Sequence, residues 1–397
     1  MRRSMCLCLV LGVAVFWMIG SLAGAQDSDP PIVEPAVEPA AEATPEPTDQ
    51  APEPAVAGEI TPPAEPAPAL KPAKMFVRLP EICQTPDGMA LDASGNILLT
   101  CPNYGDKTHP AVIMKIDPQD NCRLYLLVPT HPKTGTACPM GIDVAPGGDI
   151  YITDNQEWPG ANEGGPYGQI LRLKMEDGKP RAWEVTAWNM EHPNGVKVHD
   201  GHIYVTHSMI TKDPEDGKLI SGVYRFKVGE KHIKVENTLD DPNLIATFKT
   251  LNPDCQYGAD GLVFDSKDNL YVGNFGDATL HKITFDEEGK VTSNEIVAQD
   301  TNLMKSIDGI AIDADDNIYV ADFSNNSICV VTPEGKVSVL AHNEDCDGAD
   351  GRLDQPGEPL IRGGQVIVSN FDMVTGPDKL NSGHDEVQHL SVIELGE

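Results

Sequence analysis

Apolar and polar residues alternate in short runs from about residue 75 to the end of the chain. A representative unit, "ADGLVFDSKDNLYVGNF" from Ala259, has a polar residue followed by Gly, a short alternating segment, a tight turn and a second segment that ends in small polar residues. Alternation with a period of two predicts half-buried strands, and Asp, Gly and Asn between them predict a tight hairpin turn. Each unit is therefore predicted to be a β-hairpin.

The hairpin unit recurs along the chain. Related units begin at Pro86, Pro139, Pro193, Ile307 and Pro356, the last being the most divergent. A repeat of roughly 50 residues is typical of a propeller blade. Further strand-like segments, such as "AVIMKID" and "RLYLLV", lie between the hairpins and complete four strands per unit. The sequence predicts an all-β, six-bladed β-propeller.

The two ends of the repeat region predict how the ring closes. "MFVRLP" at 75–80 resembles an outer strand, whereas "HLSVIEL" at 389–395 resembles an inner strand that lacks an outer partner. We expect the N-terminal strand to complete the last blade, which would leave no open sheet edge.

Two segments precede this region. Arg2 and Arg3, an apolar run and Ala23-Gly24-Ala25 predict a signal peptide over residues 1–25. An uncleaved signal anchor is the alternative. Residues 26–74 are rich in Pro, Ala and Glu and predict a disordered linker, so the propeller domain is expected over 75–397. Either interpretation of the leader predicts an exported protein, secreted or periplasmic, with no membrane insertion beyond the leader.

The charge is strongly acidic, with 61 Asp and Glu against 29 Lys and Arg. Such a surface repels phosphate backbones and anionic lipids, which argues against binding to nucleic acid. It suits divalent cations, which prefer carboxylate and carbonyl oxygens. We expect a monomer that acts on a small molecule.

Seven cysteines remain after the leader, and no pair has the spacing of a zinc site. Export permits disulfides, although an odd number leaves at least one cysteine without an intramolecular partner. Cys329 with Cys346 is the first candidate for a bridge.

In a propeller, the residue that enters the innermost strand of each blade lies at the mouth of the central channel. These residues are Asp87, Met140, Asn194, Asp260 and Asp308. Their oxygens form a set that suits a hard cation, so Asp87, Asn194 and Asp260 are predicted metal ligands, with Asp308 as a further candidate. The alternative is ordinary turn chemistry. Ordinary turn chemistry is the role expected of a second set of aspartates, which lie beside the hairpin turns: Asp92, Asp143, Asp265 and Asp313.

The second strand of each hairpin ends in polar residues that could face the same mouth. Asn103, Asn155, Asn274 and Asn370 are the predicted substrate-binding residues. His207 is the histidine at the end of such a second strand, and it is the candidate general base. His192 is a second, weaker candidate. The sequence has no Gly-x-Ser-x-Gly elbow and no His-Glu-x-x-His helix, so catalysis, if present, is expected to be metal-assisted.

The chain from about residue 75 onward resembles the senescence-marker-protein/gluconolactonase/regucalcin (LRE-like) family, with NHL-like features in the repeat. The resemblance rests on "HPNGVKV", "GADGLVFDSKDNLYVGNFGDATL" and "CDGADGRLDQPGEPLIRGGQVIVSNFDM". It implies divalent-metal ligation by Asn194 and Asp260. Asp87 stands where the family has a glutamate, and Met140 replaces a polar residue that contacts substrate in family lactonases.

The resemblance implies a metal-dependent hydrolase of the gluconolactonase type that acts on a lactone or similar small ester. The cation would polarise the carbonyl, and Asp260 or His207 would take the proton of the attacking water. Calcium is the expected metal, with Zn²⁺ and Mn²⁺ as alternatives. Two other hypotheses stay open: a non-catalytic binding or scaffold propeller with a structural calcium ion, and a metal-dependent lyase with His207 as base.

Overall fold

The computed structural model describes residues 69–104, 108–156, 165–373 and 388–396. All of them fall within one compact unit, residues 64–397. The predicted signal peptide and most of the predicted linker lie outside the described residues, and the first strand begins at Lys74. Across the described ranges, no helix has both the length and the apolar character needed to cross a membrane.

The described chain forms 25 strands in six antiparallel sheets, each one blade. The first three blades contain β2 (Met89–Leu91), β3 (Ile97–Cys101), β4 (Val112–Ile116) and β5 (Cys122–Leu127); then β6 (Pro139–Val144), β7 (Ile150–Asp154), β8 (Gly168–Glu176) and β9 (Lys179–Met190); then β10 (Pro193–His199), β11 (His202–Lys212), β12 (Leu219–Lys227) and β14 (Leu244–Thr250). A two-residue strand, β13 (Ile233–Lys234), pairs in parallel with β9 at the outer edge of blade two.

Blades four to six follow the same inner-to-outer order. They contain β15 (Ala259–Phe264), β16 (Leu270–Asn274), β17 (Thr279–Phe285) and β18 (Val291–Ala298); then β19 (Ile310–Ile312), β20 (Ile318–Asp322), β21 (Ser327–Val331) and β22 (Val337–His342); then β23 (Pro356–Arg362), β24 (Gln365–Asn370), β25 (His389–Glu394) and β1 (Lys74–Arg78). A short 3₁₀ turn, Phe323–Asn325, follows β20. The prediction of a six-bladed β-propeller is confirmed.

Strand β1 closes the ring, as the sequence predicts. It pairs antiparallel with β25, with Lys74 opposite Val392 and Arg78 opposite His389. The outermost strand of blade six therefore comes from the beginning of the repeat region. Backbone hydrogen bonds hold β1 in blade six, and the chain continues from β1 directly into blade one.

The core consists of six apolar clusters, each between two neighbouring blades. Met89 and Leu99 of blade one, for example, pack with Ile367 and Leu390 of blade six. Strands buried on both faces between such clusters explain why the second strand of each hairpin is a nearly continuous apolar run.

Three of the four predicted turn aspartates hold their hairpin turns. Asp92, Asp265 and Asp313 each accept, through Oδ1, hydrogen bonds from the backbone amides two and four residues later, at 2.9–3.0 Å. The prediction for Asp143 was wrong: its Oδ2 accepts a hydrogen bond from the amide of Val198 at 2.6 Å and links blade two to blade three. The turn of blade two, which contains Pro146-Gly147-Gly148, has a different sequence.

The disulfide joins Cys83 to Cys101, across blade one. The predicted Cys329–Cys346 bridge was wrong, because both thiols are free. The Cys329 thiol is buried in blade five, 3.6 Å from the carbonyl oxygen of Leu303, and the Cys346 thiol donates to the carbonyl of Leu353. The observed bridge fastens the loop that enters blade one to the end of β3.

Candidate functional site at the channel mouth

The glycines that follow the entering residues let the six inner strands approach one another around the axis. A Cβ atom added at Gly88 would lie 2.5 Å from the carbonyl oxygen of Met140, and one at Gly261 would lie 2.5 Å from that of Asp308. Such distances leave no space for a side chain. Each glycine therefore packs on the entering residue of the next blade, which brings the entering side chains together.

The four predicted metal ligands occupy these entering positions on blades one, three, four and five. Asp87, Asn194 and Asp260 are 6%, 6% and 3% exposed, and Asp308 is partly buried. Burial raises the pKa of Asp87 to about 7. Burial, followed by the negative charge of Asp87, raises the pKa of Asp260 well above its usual range. The acids are thus close enough to disfavour one another's ionisation.

Asp308 completes this acidic cluster. Burial raises its pKa well above the usual range, and the charges of Asp260 and Asp87 add to the effect. The pKa values of Asp260 and Asp308 are thus both raised. Two buried carboxylates repel each other, so ionisation of one disfavours ionisation of the other.

Blade six departs from the pattern and adds an acid that sequence reasoning missed. The strand pairing places Gly357 at the entering position and Glu358 where the other blades have glycine. Burial raises the pKa of Glu358 well above its usual range, although the charge of Lys197 opposes the shift. The Glu358 carboxyl occupies the space that a Cβ atom at Gly309 would need, and Glu358 lines the narrow central cavity together with Gly88, Gly141, Gly195 and Gly261. The missed signal was the order Pro-Gly-Glu in the sixth unit.

In the described part of the chain, no three His, Cys, Asp or Glu side chains already converge in a metal-coordinating arrangement. The kinds of donor nevertheless suit a hard cation: the acidic cluster offers carboxylate oxygens, and Asn194 offers an amide oxygen. The Asn194 Nδ2 atom donates to the hydroxyl of Tyr257 at 3.1 Å, which leaves Oδ1 as the acceptor end of that amide.

The predicted substrate-binding asparagines are buried and hydrogen-bonded within the protein; Asn274 and Asn370 end their strands, and Asn103 lies two residues beyond β3. Asn103 Oδ1 accepts from the amide of Gln84 at 2.7 Å, and Asn370 Oδ1 from that of Asp354 at 3.0 Å. Asn274 Oδ1 accepts from the hydroxyl of Thr250 at 3.2 Å. Asn103 and Asn370 would have to exchange partners to bind a substrate, because their Nδ2 atoms are engaged as well. The buried Nδ2 atom of Asn274 has no hydrogen-bond partner among the described residues. The predicted role of these asparagines stays a prediction.

The fourth asparagine, Asn155, lies one residue beyond its strand. Its Oδ1 accepts from the hydroxyl of Tyr104 at 2.5 Å, and its Nδ2 is 3.3 Å from Nε2 of His192. It therefore connects blade one to the loop that enters blade three.

His207, the candidate base, is fully buried. Burial, and then the nearby His192, lower its pKa to about 3. Its Nε2 accepts hydrogen bonds from the amides of Glu191 and His192 at 2.8 and 3.1 Å. The imidazole is therefore neutral with its lone pair engaged, and it would have to give up both bonds to accept a proton. This arrangement suits a role in holding the loop before Asn194.

Aromatic side chains follow one another around the same end of the channel as the acidic cluster, and sequence reasoning missed them. Neighbours lie 5.3–6.0 Å apart between ring centroids: His192 with Tyr257, Tyr257 with Phe275, Phe275 with Phe323, Phe323 with Phe371, and Phe371 with Tyr104. Asn155 bridges Tyr104 to His192 and closes the circle. We call these seven residues the aromatic belt. The missed signal was an aromatic residue directly after the strand-end Asn or Asp in four units.

Residues 181–341 match the family model described as SMP-30/Gluconolactonase/LRE-like region. No curated protein matches the chain by sequence. Among solved structures, the luciferin-regenerating enzyme is similar with a TM-score of 0.54 and 14% identity over 81% of this chain and 94% of that one. A gluconolactonase from Xanthomonas campestris has a TM-score of 0.50 and 14% identity over 84% and 99%.

Similar folds occur with other activities. A protein assigned as a glucose dehydrogenase from Thermus thermophilus has a TM-score of 0.52 and 14% identity over 81% of this chain and 99% of that one. At such identities the structural likeness shows the fold alone. The family match confirms the resemblance over residues 181–341: the protein is a six-bladed β-propeller in which this region matches the SMP-30/Gluconolactonase/LRE-like family model.

Proposed function

We propose that this protein is an exported, divalent-metal-dependent hydrolase that opens a lactone or a similar small ester at the channel mouth. The observation that carries the proposal is the acidic cluster of Asp87, Asp260 and Asp308 beside the amide of Asn194. Within the described residues, none of these aspartates forms an ion pair with Lys or Arg. Buried carboxylates without a cationic partner are costly, and a bound cation would remove that cost.

The donor set supports a hard divalent cation, with calcium as the first candidate and zinc and manganese as alternatives. Asp87, Asn194 and Asp260 would hold it, and Asp308 is the further candidate. Binding would favour the ionised form of these carboxyl groups, whose pKa values are raised, because carboxyl ligands bind in their ionised form. When bound, the cation would polarise the carbonyl of the substrate.

The residues of the chain supply the proton transfers. Asp260, or Asp308 beside it, accepts a proton from the water that attacks the carbonyl carbon. The bond between the acyl carbon and the ring oxygen then breaks, and the same carboxyl returns the proton to the departing alkoxide. Burial and the charge of Asp260 raise the pKa of Tyr257 well above its usual range, so its phenol stays protonated.

Export is supported by two features. The leader over residues 1–25 has the layout of a signal peptide. The Cys83–Cys101 disulfide fits an oxidising compartment, because disulfides are rare in the cytosol. We therefore propose a secreted or periplasmic location and a monomer that acts on a small-molecule substrate.

The test compares Asp260→Asn with Asp240→Asn, a matched change at an exposed aspartate. Purified protein is stripped of metal, its metal content is measured, and hydrolysis of a lactone panel is followed after addition of Ca²⁺, Zn²⁺ or Mn²⁺. We expect turnover to depend on one of these ions. Asp260→Asn should lower kcat/KM by about 100-fold or more, because it removes both a ligand and a proton acceptor. Asp240→Asn should match the wild type.

Two results contradict the proposal. Activity retained in Asp260→Asn at the wild-type level would remove Asp260 from the site. Metal binding without turnover on any lactone would favour the alternative, a non-catalytic propeller with a structural ion.

A further inference from the structure

The aromatic belt surrounds the channel axis. Its members come from all six blades or from the loops that enter them, and their contacts follow the order of the blades. Four of its members, Tyr104, Tyr257, Phe275 and Phe323, are partly exposed, whereas His192, Asn155 and Phe371 are 0%, 2% and 4% exposed. The partly exposed rings are the ones that a ligand at the channel mouth would meet first.

The belt and the acidic cluster lie at the same end of the blades. Ala259, which precedes Asp260, pairs with Asn274, which precedes Phe275. Pro356 pairs in the same way with Asn370, which precedes Phe371. The Tyr257 hydroxyl, which is hydrogen-bonded to Asn194, joins the two layers directly. A substrate whose carbonyl reaches the acidic cluster therefore has its remaining atoms between the belt residues.

The belt has two chemically different arcs. Blades four to six contribute phenyl rings: Phe275, Phe323 and Phe371. The opposite arc contributes groups that form hydrogen bonds: Tyr104, Asn155, His192 and Tyr257. Met140 adds an apolar group at the level of the acidic cluster, since it is the entering residue of blade two and is 7% exposed. Two of these phenyl rings, Phe275 and Phe323, belong to blades four and five, which also contain Asp260 and Asp308.

We propose that the site prefers a lactone or small ester with a flat apolar substituent to a polyhydroxylated sugar lactone. The substituent would be an aryl or cyclic alkyl group. This inference rests on the proposed function. The apolar group lies on Phe275, Phe323 and Phe371, where its burial is favourable. Sugar hydroxyls against these rings would lose their hydrogen bonds to water, which disfavours them. The opposite arc orients the polar side of the substrate.

The test uses three δ-lactones that share an alkyl leaving group: δ-valerolactone, its 6-phenyl derivative and D-glucono-δ-lactone. Wild-type kcat/KM should be at least about tenfold higher for the phenyl derivative than for δ-valerolactone, and lowest for the sugar lactone. Phe323→Ala should remove most of that preference and change δ-valerolactone hydrolysis less than about threefold. Phe264→Ala is the matched control, since Phe264 is also partly buried but stacks on His199 at the end of β15 that lies away from Asp260.

The outcomes separate this inference from the proposed function. Hydrolysis of δ-valerolactone without preference for the phenyl derivative, or with a preference that survives Phe323→Ala, would overturn the inference alone. If no lactone is hydrolysed, the proposed function fails, and calorimetric binding of the same compounds decides the inference. Tighter binding of the phenyl lactone that is lost in Phe323→Ala supports it, and equal or absent binding contradicts it.

Discussion

At the scale of single residues, aspartates at different positions of the repeat have pKa values shifted in opposite directions. The turn aspartates Asp92, Asp265 and Asp313 accept several hydrogen bonds, and these outweigh burial and lower their pKa. Asp87 and Asp260 gain less from hydrogen bonds, so burial dominates and raises their pKa. Both groups follow from the same repeat, but only the second is poised to bind a cation or to move a proton.

The raised pKa of Asp87 predicts how the stability of the metal-stripped protein depends on pH. Folded Asp87 keeps its proton up to about pH 7, whereas the unfolded chain releases it near 3.8, so stability falls as pH rises between these values. The effect is up to about 4 kcal/mol. We expect the Tm of stripped protein to fall from pH 4 to pH 7, and the fall to be smaller in Asp87→Asn. Thermal unfolding of both proteins between pH 4 and pH 7 measures this difference in Tm. An identical slope in wild type and Asp87→Asn would contradict the assignment.

At the scale of elements, the hairpin is specified locally, whereas its position in the ring depends on glycine. The alternating strands and the Asp-to-amide turn bonds need no other blade to form. In blades one to five, the glycine after the entering residue is explained only by the neighbouring blade, because it packs on the backbone of that blade. The spacing of the inner strands, and with it the convergence of the acidic cluster, depends on these contacts.

Gly261→Ala tests this contact. The added Cβ atom would lie 2.5 Å from the carbonyl oxygen of Asp308 and 2.6 Å from the amide nitrogen of Ile310. We expect a loss of about 1–3 kcal/mol in the free energy of unfolding, as for other over-packed sites. Urea denaturation measures it. Gly147→Ala is the control, since nothing lies within 4 Å of a Cβ added there. Equal stability of the two variants would show that the blades can separate without cost.

At the scale of the whole molecule, the ring is held closed by a strand from the start of the repeat region. The β1–β25 pairing supplies the outer edge of blade six, and apolar clusters fill every space between blades. An open ring would leave β25 with unpaired backbone groups, which favour association with other chains.

Two truncations test the closure. Removal of residues 1–68 leaves every described residue in place, and we expect the Tm to stay within a few degrees of that of the full chain. Removal of residues 1–79 also deletes β1, and it should lower the Tm clearly and produce aggregates, because β25 becomes an edge strand. Thermal unfolding and size-exclusion chromatography measure both effects. A soluble, equally stable 80–397 fragment would show that the closure is dispensable.

The sequence by itself determined the blade, the number of blades and the closing strand. These follow from short-range physics: alternation with a period of two, turn residues at fixed offsets, and one unit repeated along the chain. It also marked Asp87, Asn194, Asp260 and Asp308 as the residues that enter the inner strands, since the repeat fixes that position within each unit.

Only the tertiary structure decided what the remaining polar residues contact. Asn103 and Asn370 engage backbone amides of neighbouring loops, His207 has its lone pair engaged by two amides, and Glu358 enters the channel. The aromatic belt and the Cys83–Cys101 bridge were likewise not predicted. The reason is that these contacts join residues from different segments. Their partners are set by the curvature of the ring and the packing of its blades, which a local pattern does not encode.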